Sequence, residues 1–140
     1  MPAPIELADR LTLTELVTRL TRSIDLKRFD TLAGLYGPDA VLHTPVGAIE
    51  GPEAIADFAR RGHEQYEQTQ HLVSGTTVDA DDEEAAVVAD VVAVFVPLAS
   101  DPGTNIQLGS RYELALTRSG NGWSIARHTI TPVWQRTPGN

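Results

Sequence analysis

The sequence predicts an α+β fold in which three helices precede a run of long antiparallel strands. Apolar residues recur at helical spacing in the first part of the chain, whereas the chain from Thr69 onward has valine-rich, strand-like segments. Helices that come first, followed by hairpin-linked strands, are typical of a helical layer on one face of an antiparallel sheet. Because 140 residues is close to the commonest domain size, we expect a single domain over 1–140 with its core at about 11–134.

A capping box predicts the start of the first helix. In Thr12-Leu13-Thr14-Glu15, the side chains of Thr12 and Glu15 can satisfy backbone N–H groups at a helix N-terminus. One buried helical stripe is predicted from the spacing of Leu13, Leu16, Val17, Leu20 and Ile24. Asp25 falls on the flank of that stripe, so its carboxylate can point either to water or into the interior.

Shorter elements are predicted between this helix and the long strands. A second helix runs from about Phe29 to Tyr36, with Asp30 as its N-cap, and Gly37-Pro38-Asp39 ends it. The elements that follow are a short strand at Ala40–Thr44, a turn region at Pro45–Gly51 and a third helix that begins with Pro52.

Four long strands are predicted to build most of the sheet. An acidic turn, a Ser-Asp-Pro-Gly segment and a Gly-rich hairpin turn separate them, as is typical of strand connections. In chain order the strands are Gln70–Val78, Ala85–Leu98, Ile106–Arg118 and Trp123–Trp134. Helices that cover one face of a strongly curved sheet can enclose a cone-shaped cavity.

Composition excludes several classes of function. The absence of cysteine removes disulfides, thiolate metal sites and cysteine nucleophiles. A net charge of −8 opposes binding to nucleic acid or anionic membranes. The sequence has no dinucleotide fingerprint, phosphate-binding glycine loop or nucleophile elbow, so we expect no cofactor. It has neither a bilayer-spanning apolar run nor a signal-peptide pattern, which predicts a cytoplasmic protein.

Two strand histidines are candidates for acid–base chemistry. His71 opens its strand, and alternation places it on one face with Val73 and Gly75, where the glycine would leave room for a ligand. His128 lies on the last strand as either a pocket residue or a structural one. An imidazole beside a cavity can transfer protons near neutral pH, whereas one that only binds a backbone carbonyl has no such role.

The other two histidines carry weaker signals. His43 lies on the short strand, where the rim of a cavity could be. His63 is expected to be an exposed residue at the end of the third helix, favoured there by the helix dipole. The spacing of the four histidines matches no local metal-ligand pattern, so we predict no metal site.

Several segments occur in an order that points to a known family. They are Ile24–Leu32 with Leu35-Tyr36 and Pro38–Val41, then Gly51-Pro52-Glu53-Ala54-Ile55, Thr69-Gln70-His71 and Gly122-Trp123-Ser124-Ile125. This order resembles the pattern of SnoaL-like domains, which belong to the nuclear-transport-factor-like superfamily, from about Leu11 to Trp134. The resemblance implies a cone of three helices against a curved antiparallel sheet, with a deep apolar cavity, in a homodimer.

The resemblance also implies a site. In the dehydratase branch of the family, an aspartate and a histidine pair at the positions of Asp25 and His71. We therefore expect a cofactor-independent dehydratase, isomerase or cyclase for a small, mostly apolar cyclic substrate. His71 would be the general base and acid, and Asp25 would orient it. Weaker substrate-binding candidates are His128, Tyr112, His43 and Ser110.

Departures from the family pattern leave alternatives open. Ile24 and Thr44 stand where scytalone dehydratase has tyrosines that hold a water, and Val96-Pro97 lies near the position of its second histidine. Asp90 and Arg111 keep open the aspartate–arginine arrangement of epoxide hydrolases. The main alternative to an enzyme is a non-catalytic module that binds a small molecule or assembles as a dimer. A third is a partner subunit like the small subunit of ring-hydroxylating dioxygenases, whose chains are usually longer.

Overall fold

Three helices and six strands occur within residues 3–139, the part of the chain that the computed structural model describes. In chain order they are α1 (Leu7–Asp25), α2 (Phe29–Ala33), β1 (Tyr36–Thr44), β2 (Gly47–Glu50), α3 (Pro52–His63), β3 (Gln68–Ala80), β4 (Glu84–Val96), β5 (Ile106–Ser119) and β6 (Gly122–Arg136). The predicted α+β class is confirmed. The single domain over 1–140 includes residues outside the described ones and stays a prediction.

The six strands form one curved sheet in the order β2–β1–β6–β5–β4–β3. Neighbouring strands run antiparallel, except that β1 and β6 are parallel. The sequence predicts an antiparallel sheet, and this prediction is wrong for the pair of β1 and β6. β1 and β6 are far apart in the sequence, so their pairing is a tertiary contact that no local pattern signals.

The stripe predicted for α1 is confirmed, but the predicted helix start is wrong. All five stripe residues are buried, and α1 packs on β3. The helix begins at Leu7 and has no side-chain cap. The Thr12 hydroxyl instead donates to the Ala8 carbonyl, one turn back, at 3.1 Å. The capping box thus lies inside the helix.

Pairing with β6 reshapes the segment after α1. Helix α2 ends at Ala33 rather than at Tyr36, and its N-cap is Arg28 rather than Asp30. Tyr36 pairs with Ile125 of β6, whose N–H also bonds to the Leu35 carbonyl at 2.9 Å. Residues 37–39, expected to end a helix, are therefore part of β1, and β2 occupies part of the expected turn region.

The inner face of the sheet carries the core under α1 and α3. Along β4, every second residue from Ala85 to Ala93 is buried, as the alternation of a strand requires. On β5 the buried residues of the inner face are Ser110, Tyr112, Leu114 and Leu116. The core is mostly apolar, and its buried polar side chains include His128 on β6.

A bulge in β3 changes which residues face inward. Ser74 pairs with Asp90 but Thr77 pairs with Val88, so β3 has one extra residue there. Gly75 lies in the bulge with φ +64°, and a Cβ on it would lie 3.3 Å from the Asp90 carboxylate. The glycine thus serves the backbone of the bulge, and the expectation that it opens space beside His71 is wrong.

The outer face of the sheet carries a row of apolar residues that are in register. Leu72 pairs with Val92, Val92 with Gly109, and Gly109 with Trp134. The Trp134 indole lies over Gly109, where any Cβ would collide with it. Leu72 is 52% exposed and Trp134 is 44% exposed. This row leaves a hydrophobic strip on the face opposite the helices.

An ion pair ties the first turn of α1 to the β5–β6 hairpin. The Arg118 guanidinium donates to both Asp9 carboxylate oxygens, at 3.0 and 2.7 Å, and stacks over the Trp123 ring. The hydrogen bond from Arg118 holds the pKa of the Asp9 carboxyl below its usual value. Among the helices within 3–139, none combines the length and the apolar character that crossing a membrane requires.

Candidate active site

Asp25 and His71 form a hydrogen-bonded dyad. Asp25 Oδ1 is 2.6 Å from His71 Nδ1, and Oδ2 accepts the His71 backbone N–H at 2.9 Å. The Thr69 hydroxyl donates to Oδ1 at 2.9 Å. The His71 side chain is 1% exposed and that of Asp25 is 16% exposed. Sequence reasoning left the direction of Asp25 open, and the structure turns it toward the sheet.

The local structure of each element explains why the two residues meet. Asp25 is the last residue of α1, which ends in a Schellman motif with Lys27 in the left-handed conformation. The N–H of Arg28 bonds to the Ser23 carbonyl at 2.7 Å within that motif. Strand β3 is an edge strand, so the outward N–H of His71 has no neighbouring strand to bond. The carboxylate at the helix end satisfies it.

The electrostatics of the dyad define its protonation state. Burial by itself raises the pKa of the Asp25 carboxyl, but the hydrogen bonds from His71 and Thr69 and the charge of His71 outweigh it, so the pKa lies below its ordinary value. An ionised carboxylate can only accept hydrogen bonds, so His71 Nδ1 carries a proton. In the neutral ring, Nε2 then has the free lone pair. This is the arrangement of a general base with an orienting carboxylate.

His63 is a neighbour of the dyad that sequence reasoning missed. Its ring centroid is 5.5 Å from that of His71 and 5.3 Å from that of Phe95. The predicted exposed position at the helix end is wrong, because His63 is half-buried. A signal was present in the sequence: Ile55, Ala59 and His63 follow one another at intervals of four residues, on the buried face of α3.

A second polar cluster lies deeper in the core. The Tyr36 hydroxyl is 2.8 Å from His128 Nδ1, and the Tyr112 ring centroid is 4.8 Å from that of His128. Burial lowers the pKa of His128 to about 3, so the ring is neutral. Its Nε2 is buried without a hydrogen-bond partner among the described residues. Burial, reinforced by the charge of Asp25, raises the pKa of Tyr112, so its hydroxyl keeps its proton.

The remaining candidates lie apart from the dyad. Ser110 is buried two residues before Tyr112, on the same face of β5. His43 is exposed on β1, opposite Ala48 of β2 and Thr129 of β6. Asp90 and Arg111, which kept the epoxide-hydrolase arrangement open, form an exposed 3.1 Å ion pair away from the dyad. The structure therefore joins Asp25 with His71, and Tyr112 with His128, but leaves His43 outside both groups.

The dyad lines an open cleft of about 720 Å³ at the β3 edge. Its polar walls include Arg22, Gln68, Gln70 and Asn105, and its apolar walls include Leu26, Val94 and Val96. The family resemblance predicts a deep apolar pocket. The observed cleft differs from that prediction, because it is open and its walls are partly polar. Within residues 3–139, no group of three or more histidine or carboxylate side chains could hold a metal ion.

Comparison with known families gives one match over most of the chain. A family model whose description is "SnoaL-like domain" matches residues 5–129. An uncharacterised protein of Mycobacterium tuberculosis (strain ATCC 25618 / H37Rv) is 27% identical over 135 residues, which cover 94% of this chain and 90% of that protein.

Solved structures show the same fold at low sequence identity. A putative scytalone dehydratase from Novosphingobium aromaticivorans superposes with a TM-score of 0.82 at 18% identity, over 96% of this chain and 90% of that chain. A type 2 hexachlorocyclohexane dehydrochlorinase (LinA) superposes with a TM-score of 0.76 at 18% identity, over 96% and 100% of the two chains.

Proposed function

The chain belongs to the SnoaL-like domain family, and from this membership we propose that it is a cofactor-independent acid–base enzyme whose dyad is Asp25 and His71. The observation that carries the proposal is the 2.6 Å contact between the Asp25 carboxylate and His71 Nδ1. Because the Thr69 hydroxyl and the His71 backbone also bind that carboxylate, the dyad is fixed before any ligand arrives.

The chemistry that fits this dyad best is elimination. His71 Nε2 removes a proton from a carbon next to a carbonyl, and the C–H electrons form a carbon–carbon double bond. The carbon–oxygen bond to the leaving hydroxyl breaks as that oxygen takes the proton from the His71 imidazolium, so water is released and the imidazole returns to its neutral form. The Asp25 carboxylate stabilises the imidazolium between the two transfers. Isomerisation uses the same first step and returns the proton to another carbon.

The names of two structural neighbours support elimination as the reaction class. A dehydratase removes water and a dehydrochlorinase removes hydrogen chloride, and both reactions need a base for one proton. These likenesses are below 25% identity, so the reaction proposed for this chain rests on its own dyad. We propose a small cyclic substrate that combines an apolar ring with hydrogen-bonding groups, since the cleft offers both kinds of wall.

A substrate panel tests the proposal. Hydroxylated cyclic ketones and enones are incubated with the wild type, and the absorbance of a conjugated product is followed. Asp25→Asn and His71→Ala should each lower turnover by about 10²–10⁴-fold, the range usual for acid–base groups. His43→Ala is the matched control, because His43 lies outside the dyad, and it should keep wild-type turnover.

Two outcomes would overturn the proposal. One is turnover that survives both dyad substitutions. The other is a panel compound that raises the melting temperature of the wild type but is never converted. The second outcome would place this protein among the non-catalytic binding modules of the family instead.

A further inference from the structure

The His63 ring is held in a fixed direction by its own helix. His63 is the last residue of α3, and its Nδ1 lies 2.7 Å from the Ala59 carbonyl oxygen, one turn earlier. A carbonyl oxygen only accepts, so Nδ1 carries the proton. Ala59 itself is buried, so the bond anchors the ring on the inner side of α3.

The His71 ring of the dyad packs with two neighbouring rings, those of His63 and Phe95. His63 lies 5.5 Å from His71 and 5.3 Å from Phe95, and Phe95 lies 6.4 Å from His71 at an interplanar angle of 73°. Tyr66 supports Phe95 at 5.0 Å. Because each of the three rings packs against the other two, this packing opposes rotation of the His71 imidazole about its Cβ–Cγ bond.

Burial is the main reason why the His63 ring is neutral. Burial lowers the pKa of His63, the carbonyl of Ala59 and the charge of Asp25 oppose this, and the charge of His71 lowers it further. The titratable groups that face it come from α1 (Asp25) and β3 (His71). On its own helix, Arg60 lies over the Phe29 ring and pairs with Asp57. A neutral ring leaves His71 as the imidazole that takes up a proton, whereas a cation there would oppose that step.

From this geometry we infer that His63 is a positioning residue for the dyad. Its anchored ring, together with Phe95, confines the His71 imidazole to the orientation in which Nδ1 faces Asp25 and Nε2 is free for a substrate. This role rests on the proposed function, because it concerns the same proton-transferring ring. His63 affects the reaction only by orienting His71, so it is not itself a catalytic residue.

Nuclear magnetic resonance of the histidine rings tests this role without any substrate. The signals to follow are the downfield Nδ1 proton of His71, which the 2.6 Å bond to Asp25 should produce, and the two ring ¹⁵N shifts of His71. His63→Ala should broaden or abolish the downfield proton while circular dichroism and cooperative melting persist. His63→Phe, which keeps the ring contact, should restore the signal in part. His43→Ala should match the wild type.

The result that overturns the inference is a His63→Ala spectrum in which the His71 proton and ¹⁵N shifts are those of the wild type. If His63→Ala does not fold, His63→Gln replaces it, because glutamine lacks the ring but can still donate to the Ala59 carbonyl. The same result would then overturn the role. Failure of the proposed function is separate, because it shows as turnover that survives Asp25→Asn and His71→Ala, whatever the His71 signals of His63→Ala are.

Discussion

The Asp25 carboxylate binds both the ring and the backbone of His71. Oδ1 lies 2.6 Å from the imidazole Nδ1, and Oδ2 accepts the backbone N–H at 2.9 Å. One side chain at the end of α1 therefore fixes the strand position of His71 and the direction of its ring. A carboxylate–imidazole pair that is held at two points is preorganised in one geometry.

Replacing Asp25 should change how stability depends on pH. The folded-state pKa of Asp25 lies below its ordinary value of 3.8. Its stabilising contribution is thus complete above the unfolded pKa and is lost as pH falls through the folded pKa. Urea unfolding of the wild type and Asp25→Asn should show their largest stability difference near neutral pH and a smaller one below about pH 4. A difference that stays constant to pH 3 would contradict this expectation.

His128 should make the protein less stable at mildly acidic pH. Burial lowers its pKa from 6.5 to about 3 in the folded state. Below the unfolded-state pKa, His128 is protonated in the unfolded chain but stays neutral in the folded protein. Stability therefore falls as the pH drops toward the folded-state pKa. The slope from this residue reaches about 1.4 kcal/mol per pH unit. Denaturant unfolding between pH 7.5 and 4.5 should show a flatter profile for His128→Leu than for the exposed-histidine control His43→Ala.

The buried contact between Tyr36 and His128 should show strong coupling. Tyr36→Phe leaves His128 Nδ1 without its 2.8 Å partner, and His128→Leu leaves the Tyr36 hydroxyl unpaired. Each single variant should lose about 1–3 kcal/mol of unfolding free energy, the usual cost of an unsatisfied buried polar group. The double variant should lose clearly less than the sum of the two. Additive losses from chemical denaturation would show that the two groups act independently.

The apolar row on the outer face of the sheet predicts a homodimer. Leu72 and Trp134 lie in register on that face and are both partly exposed. Light scattering at micromolar concentration should give twice the mass of the chain, and Leu72→Glu should give a monomer. Val46→Glu is the control, because Val46 is 82% exposed but follows β1 at the turn into β2, outside that row. A monomeric wild type would exclude the dimer.

The sequence predicts the parts of the fold that depend on local spacing. The α1 stripe, the start of α3 at Pro52 and the four long strands all follow from periodicity and turn residues. The parallel pair of β1 and β6 could not be predicted, because it joins distant segments whose own patterns do not specify a partner. The same limit applies to α2, which ends at Ala33 rather than at Tyr36 because Tyr36 pairs with β6.

The site divides in the same way. The family resemblance predicts the pairing of Asp25 with His71, whereas the three hydrogen bonds that the Asp25 carboxylate accepts depend on how α1 docks along β3. The predicted exposure of His63 is wrong, because it follows only from the position of the residue at the end of a helix. Its spacing from Ile55 and Ala59 predicts burial, and the two signals conflict. Only the placement of α3 over the sheet decides between them.

The edge position of β3 has a consequence for engineering and for aggregation. A carboxylate that serves only function can often be removed with a gain in stability at the expense of activity. Asp25 differs, because its carboxylate also occupies an N–H that would otherwise be open to a strand from another molecule. An Asp25→Ala variant should therefore lose the dyad without a gain in stability. It should also expose an unpaired backbone N–H at which a strand of another molecule can pair.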